Sequence, residues 1–389
     1  MEAQCDIVVV GAGIAGTSVA AELSATHSVI LLEQEARPGS HATGRSAALH
    51  SEVYGNAAVR ALTPASRDFS LAGADGRIFA RPRGCLHLAT IEQVERLGEL
   101  VREPGMAGAA DWIEGAALRR RIPLLRANCT AALDEYHAYD LDVDAIHQFF
   151  LASLRANGGA LHCSSRVDRI ERRPSGWTFA AGGRTIHASL IVNAAGAWGD
   201  EIARLAGVPP LGLRPLRRTA FVVDAPAGAN PADWPAVIDV DERFYFKPEG
   251  RRILMSPADE TLSAPCDAFP EELDIALAVD RVQVVADIPV HRVPHSWAGL
   301  RTFAPDRTPV AGFDPDTPDF FWLVGQGGYG IQTAPALSRM AAALVRGAPF
   351  PSDLEAHGVD PAACAPGRLR ASAGQADQRK AALTAVSLP

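Results

Sequence analysis

Val8-Val9-Val10-Gly11-Ala12-Gly13-Ile14-Ala15-Gly16, with Leu31-Leu32-Glu33 after it, is the stretch from which the fold is read. Three valines run into a glycine turn, a helix start follows, and a second apolar strand ends on an acid. Gly11 permits a tight turn, Gly13 lets the backbone approach a pyrophosphate, and Gly16 lets the helix lie close to the sheet. Phosphates would rest on the free N–H groups at the helix N-terminus, where the dipole favours negative charge. Glu33 follows about 20 residues on, where a carboxylate takes ribose hydroxyls. The expectation is a Rossmann-type βαβ unit that binds a dinucleotide, and a glycine turn this near residue 1 points to FAD.

The rest of the chain is compatible with a large soluble protein. Its 389 residues suffice for two domains. A hydrophobic content of 48% and a charged content of 21% are ordinary for a globular chain. The net charge of −8, without a Lys/Arg run, argues against nucleic acid as a partner. Cys5, Cys85, Cys129, Cys163, Cys266 and Cys364 are scattered without a CxxC pair, so neither a disulfide frame nor a metal site is expected. No apolar run reaches the length of a membrane span and no signal peptide precedes the first strand. The expectation is a cytoplasmic protein without stable membrane insertion.

Helical patterns are expected over about Ala15–Ser24, 91–104, 115–125, Asp142–Asn157, Glu271–Ala286 and Ala334–Arg346. The loop Arg37–Ala48 starts with turn residues and is expected to become helical near Ser46. Strands are expected around 161–163, 167–172, 177–180, 185–188 and 190–196, then in antiparallel style at 219–223, 244–247 and 253–256. A buried strand at Phe320–Val324 runs into Gly325-Gln-Gly-Gly-Tyr-Gly-Ile-Gln-Thr333 and resumes the dinucleotide-domain pattern. The fold class is therefore α/β. A discontinuous Rossmann-type domain (1–76, 138–206 and 294–365) carries a mixed or antiparallel α+β domain for the substrate (77–137 and 207–293). Residues 366–389 read as a mobile C-terminal tail.

Several motifs in fixed order now resemble one family. They are Gly11-x-Gly13-x-x-Gly16 with Glu33, Thr43-Gly44-Arg45-Ser46, Asn193-Ala-Ala-Gly196-Ala-Trp198, Trp297-Ala-Gly-Leu-Arg301 and Gly327-Gly-Tyr-Gly-Ile-Gln-Thr333. Together, over about residues 5–350, they resemble the D-amino-acid oxidase/dehydrogenase superfamily of flavoproteins. Within it the chain looks most like the bacterial FAD-dependent D-arginine dehydrogenases. The resemblance implies noncovalent FAD and oxidative deamination of a D-amino acid. Hydride passes from the α-carbon to flavin N5, and the imine hydrolyses to a 2-oxo acid and ammonia. For the cofactor it implies Gly11, Ala12, Gly13, Ile14, Ala15, Gly16, Glu33 and Gln34 in the first unit. It adds His41, Thr43, Gly44, Arg45, Ser46 and Ala47 in the loop, and Val167, Ala195, Gly196 and Trp198 in the middle segment. Late in the chain it adds Arg301 and Gly327, Gly328, Tyr329, Gly330, Ile331, Gln332 and Thr333.

For the substrate the resemblance implies Arg218 and Arg301 on the carboxylate and Tyr54 and Tyr245 around it as the catalytic set, with Gly328, Gln332 and His50 beside them. Paired planar guanidinium forks are what a buried carboxylate needs. Arg217 should face the opposite side of its strand from Arg218. The chain also departs from the pattern. Arginine-preferring relatives carry a glutamate before a strand in the first insertion, where this chain reads Pro82-Arg83-Gly84-Cys85. They also carry a histidine where this chain has Leu49, followed by His50. Apolar or aromatic side chains are therefore expected to be preferred over a guanidinium. His50 and His87 are the candidates for a general base. A secondary amine of the sarcosine or glycine type, or a 2-hydroxy acid, would use the same carboxylate clamp, and a non-catalytic flavoprotein module is the remote alternative. Oxygen and a quinone remain open as electron acceptors.

Overall fold

The protein is described here by a computed structural model covering residues 2–73 and 76–370. Its described strands form an eight-stranded, a nine-stranded and a three-stranded sheet. In the first, the Val-rich strand Glu2–Val10 lies between Arg184–Asn193 and Val29–Leu32 and is parallel to both, with Val8 opposite Ile191 on one side and Ile30 on the other. Both faces are covered. Val9 packs with Val19, Leu23, Leu337 and Met340, and Val8 packs with Ile191, Phe320 and Trp322. A strand covered on both faces reads as a continuous apolar run, which is why Val8-Val9-Val10 does not alternate. The late strand Thr317–Val324 returns to this sheet and pairs parallel with the second half of Arg184–Asn193. That strand is one element where the sequence suggested two, because its first half pairs with Gly176–Ala181 and its second with Thr317–Val324.

The helices of the first sheet follow their sequence signals. Ile14–Ser24 begins on the glycine turn, and Val143–Ala156 begins on Asp142, whose carboxylate accepts the Ala145 N–H at 2.9 Å. Gly330–Arg346 starts four residues before the expected Ala334. Elsewhere the helices are shorter than expected: Val94–Leu100 follows a single 3₁₀ turn, and Gly115–Arg121 stops before 125. No helix forms at Ser46. Its hydroxyl accepts the Ala48 N–H at 3.0 Å, and Ala48 sits at φ 60°, so the chain leaves the turn for the short strand Leu49–His50.

The second sheet differs from the expected partition. It contains Cys85–Thr90, Cys129–Glu135 and the strands between 214 and 262, and it also takes His295–Phe303. That strand pairs antiparallel with Arg214–Asp224, from Arg214 opposite Phe303 to Val222 opposite His295. Trp297–Arg301 therefore pairs in the second sheet, although 294–365 was expected to belong to the FAD-binding domain. Long-range pairing of this kind leaves no local mark in the sequence.

At the C-terminus, Leu369 is buried and Arg370 donates to the Pro210 carbonyl at 2.8 Å and pairs with Asp314 at 3.1 Å, so 366–370 is packed, contrary to a mobile tail. The rest of the expected tail, 371–389, lies outside the described residues. All six cysteines are free, with Cys266 exposed. Among the described residues no helix is long and apolar enough to cross a membrane.

Candidate active site

The site begins at the glycine turn. Gly11 has φ 101°, and a side chain there would meet the Ala194 carbonyl at 2.5 Å. The equivalent atom on Gly16 would lie 1.8 Å from the Gly11 carbonyl, so the helix can start this close to the strand only with glycine there. The Thr43 hydroxyl accepts the Ile14 N–H at 2.9 Å, and the helix carries no acid in its first turn. Glu33 is buried, and its two carboxylate oxygens accept Ala12 N–H at 3.0 Å and Glu35 N–H at 2.9 Å. Burial pushes the Glu33 carboxyl pKa up, against the pull of those two N–H groups. Each oxygen retains a lone pair for a further donor.

From this turn one continuous cleft of about 1690 Å³, its mouth included, runs to the second sheet. Gly13, Ala15, Glu33 and Gln34 line one end, with Val167, and Ala195, Gly196 and Trp198 line the middle. Gln326, Gly327, Gly328, Gly330 and Ile331 line the far end, with Arg218, Tyr245 and Arg301. The Gln326 side-chain nitrogen and the Thr302 hydroxyl on this wall are buried with no hydrogen-bond partner among the described residues. Buried polar groups of that kind call for a polar occupant. A long cleft with a helix N-terminus and an acid at one end and unpartnered polar groups at the other fits a dinucleotide with a polar ring system.

Where the cleft ends, a second cavity of about 700 Å³, its mouth included, opens and shares Arg218, Tyr245, Arg301 and Gly328 with it. Arg301 lies opposite Leu216 across the strand pair. Arg218, two residues along from Leu216, therefore points to the same face. Among the described residues the Arg301 guanidinium has only the hydroxyls of Tyr54 at 3.4 Å and Tyr245 at 3.3 Å as hydrogen-bond partners, and no carboxylate pairs with it. Burial opposes its charge, but the Tyr245, Tyr54 and Tyr329 phenols and Glu242 outweigh burial and hold its pKa above the ordinary arginine value. A side chain on Gly328 would come 2.9 Å from that guanidinium, so glycine there leaves the arginine its place.

Arg218 is more engaged: it donates to the Asp259 carbonyl at 2.8 Å and to Glu260 at 3.2 Å. Glu260 in turn holds Arg307 through two bonds of 2.9 and 2.7 Å. Arg217 turns to the other face, to Asp274 at 2.9 Å and to Glu271.

Other expected residues take structural roles. Arg45 lines the cleft, but its guanidinium is occupied by the Ala268 and Ala298 carbonyls at 2.8 and 2.7 Å and by Asp267. Gln332 lines the second cavity, with its amide tied to the Ser51 backbone at 3.1 and 3.2 Å and to Thr63 at 2.9 Å. Ser46 lines both cavities and Ala47 the second only. His41 and Thr43 line the cleft, while Ala12, Gly16, Gly44 and Thr333 do not. Tyr329 is buried against Tyr54, with ring centroids 4.9 Å apart.

His50 is not brought to the site. It is fully buried against Tyr139, 3.8 Å from Glu52, and lines neither cavity, because its strand turns Ser51 and not His50 toward the pocket. Gly84 and Cys85 also lie off the second cavity, and Arg83 is held by Asp140 at 2.6 Å. Sequence reasoning missed Glu242, which lines the second cavity at φ 55°. Burial pushes its carboxyl pKa up, with Arg218, Arg307 and Arg301 pulling the other way. It also missed His147, which bonds the Ala12 carbonyl at 3.0 Å and braces the glycine turn. The acid in the Asp239–Glu242 turn and the inward position of His147 on an amphipathic helix were the available signals.

A family profile described as FAD dependent oxidoreductase (DAO) matches residues 6–344. The chain belongs to the DAO family of FAD-dependent oxidoreductases. FAD is therefore its cofactor, and when bound it supplies a hydride acceptor. Glycine oxidase of Geobacillus kaustophilus is 25% identical over 364 residues, covering 87% of this chain and 92% of that protein. The crystal structure of that glycine oxidase superposes with a TM-score of 0.77 at 22% identity, covering 90% of this chain and 97% of the other. FAD-dependent oxidoreductase domain-containing protein 1 of Xenopus laevis is 31% identical over 185 residues, which is 42% of this chain and 36% of that protein. The chain thus matches only about a third of that relative's length. Within the DAO family, the purified protein is expected to be yellow and to release its flavin as FAD on acid or heat precipitation. Flavin left in the pellet would indicate a covalent link, with Cys266 on the cleft wall the first residue to examine.

Proposed function

We propose that the protein oxidises the α-carbon of a D-amino acid, giving the 2-oxo acid and ammonia after the imine hydrolyses in water. The observation that carries this reading is Arg301: a half-buried cation at the junction of the two cavities, with phenol hydroxyls around it and no carboxylate partner among the described residues. A substrate carboxylate suits that guanidinium as a bidentate partner. Arg218 adds charge from the same face, and the Tyr54 and Tyr245 hydroxyls can donate to the bound carboxylate. The α-carbon then lies at the end of the FAD cleft, beside Gly328. The remaining substrate extends into the second cavity, along Leu49, Ala236, Ile238 and Phe246.

Those walls suit an apolar side chain, and no carboxylate from the Pro82–Cys85 segment reaches them. D-Phe, D-Met and D-Leu are expected to give a higher kcat/KM than D-arginine, and each a higher one than its L form. A D-arginine value well above the three would mean that another acid, Glu242 foremost, supplies the missing charge. One finding favours a second reading. Glycine oxidase of Geobacillus kaustophilus matches 87% of this chain, and glycine or an N-methylated glycine would use the same clamp. A kcat/KM for glycine or sarcosine above that for D-Leu would decide for it.

A further inference from the structure

A third cavity, of about 880 Å³ with its open mouth included, lies on the other side of Tyr54 and Glu242 and is lined by His87. Between it and the second cavity stands Glu135, which is fully buried. Ser51, on the wall of the second cavity, donates its hydroxyl to Glu135 Oε2 at 2.7 Å, and the same oxygen lies 3.3 Å from His87 Nε2. The other Glu135 oxygen accepts the Glu52 N–H at 2.6 Å, which fixes the carboxylate in place. Gln332 fixes the Ser51 backbone in turn. A hydrogen-bonded row of three titratable or exchangeable groups therefore crosses the wall from one cavity to the other. A buried carboxylate facing an imidazole is costly to maintain in a wall that apolar residues could fill.

We propose that Ser51, Glu135 and His87 form a proton path that carries the substrate's ammonium proton out of the second cavity into the third. The proposal rests on the amine reading of the site. An amino acid reaches the protein as an ammonium ion, and its nitrogen must give up a proton before hydride can leave the α-carbon. That proton passes to the Ser51 hydroxyl oxygen, directly or through a water, as the hydroxyl's own proton moves to Glu135 Oε2. Glu135 passes its proton to His87 Nε2, and the imidazolium releases one to water in the third cavity. The substrate is left as a neutral amine, and rotation of the hydroxyl and the imidazole resets the row.

The charges facing His87 leave Glu135 as its direct partner. Asp134 on the neighbouring strand is held by Arg121 at 2.8 Å, and Asp239 on the other side is held by Arg243 at 3.1 Å. Across the third cavity Glu103 is held by Arg60 at 2.9 Å, and Arg96, Glu242, Asp306 and Arg307 complete that wall. The Cys85 thiol, the Glu135 carboxylate and His87 place their ligand-type atoms within 4.8 Å of one another, so a bound metal is the competing use of the same groups.

The test is anaerobic stopped-flow reduction of the FAD-loaded enzyme by D-Leu across pH, in wild type, His87→Gln, His87→Ala and Ser51→Ala. FAD content, thermal midpoint and zinc content are measured on the same preparations, and proton release is followed with a pH indicator dye. At neutral pH the variants are expected to lose about tenfold or more in reduction rate. The gap should close as pH rises and the free amine becomes abundant. Proton release should slow in parallel. Imidazole, which the third cavity admits, should restore His87→Ala and leave Ser51→Ala unchanged. An unchanged pH profile in variants that keep FAD and reduce normally would overturn the path alone. One zinc per chain in the wild type, lost in His87→Ala, would overturn it in favour of a metal site. Failure of every amine to reduce the wild-type flavin at any pH would remove the amine reading and the path with it.

Discussion

Arg301→Ala is expected to lower kcat/KM by a factor on the order of a hundred while leaving the FAD spectrum nearly unchanged. The guanidinium is the cation at the cavity junction without a carboxylate partner among the described residues, so a bound substrate carboxylate would complete it. Substrate and FAD together would enclose the pair, and breaking an enclosed pair costs about 3 kcal/mol or more. About 1.4 kcal/mol is tenfold in rate, which gives the hundredfold figure. Arg301→Lys should recover little, since an ammonium cannot form the planar fork. If Arg301 were only a structural cation, the variant would lose thermal stability or flavin, and the surviving folded enzyme would turn over normally. Thermal midpoint, flavin content and kcat/KM measured on one preparation separate these outcomes. Near-normal kcat/KM would remove the clamp.

Gly13→Val is expected to yield protein without FAD. Gly13 lines the cleft at the start of the helix Ile14–Ser24, where the backbone must approach a pyrophosphate. A first side-chain carbon there would already lie 3.2 Å from the Thr43 hydroxyl, and that hydroxyl caps the Ile14 N–H. The valine methyl groups would therefore enter the phosphate space or displace the cap, and either outcome removes the anion site. Flavin absorbance per chain after gel filtration reads the result. Full occupancy in Gly13→Val would place the phosphate site elsewhere.

The parts of the site that were legible are those fixed by local spacing. Gly16 answers to a steric contact with Gly11 inside a single strand–turn–helix unit, Gly11 takes the positive φ that the turn requires, and Glu33 directly follows the adjacent strand. Arg218 and Arg301 were found through motif order, but their sharing of one face follows from the pairing of strands some eighty positions apart in the chain, which no window of sequence displays. The same pairing joins the strand of Arg301, which the sequence placed with the FAD-binding domain, to the second sheet. His50 and Ser51 show the opposite failure. Strand alternation puts neighbours on opposite faces, and a shift of one residue exchanged the candidate base for the residue that lines the cavity. Arg45 lines the cleft, as its local motif suggested, but the carbonyls that hold its guanidinium come from residues 268 and 298, which that motif does not display. Glu242 is poised by a left-handed backbone that is uncommon outside glycine, so propensity alone does not announce it.

Single-turnover product analysis tests the central claim most directly. The FAD-loaded protein is mixed anaerobically with D-Leu, the flavin absorbance is followed to completion, and ammonia and 2-oxo acid are quantified in the filtrate. The clamp at Arg301 and Arg218, with the apolar stretch Leu49, Ala236, Ile238 and Phe246 beyond it, predicts one ammonia and one 2-oxo acid per FAD reduced, and the proposed D-specificity predicts that L-Leu reacts far more slowly. Flavin that stays oxidised with D-Leu and every other D-amino acid, or flavin reduced without release of ammonia, would contradict it.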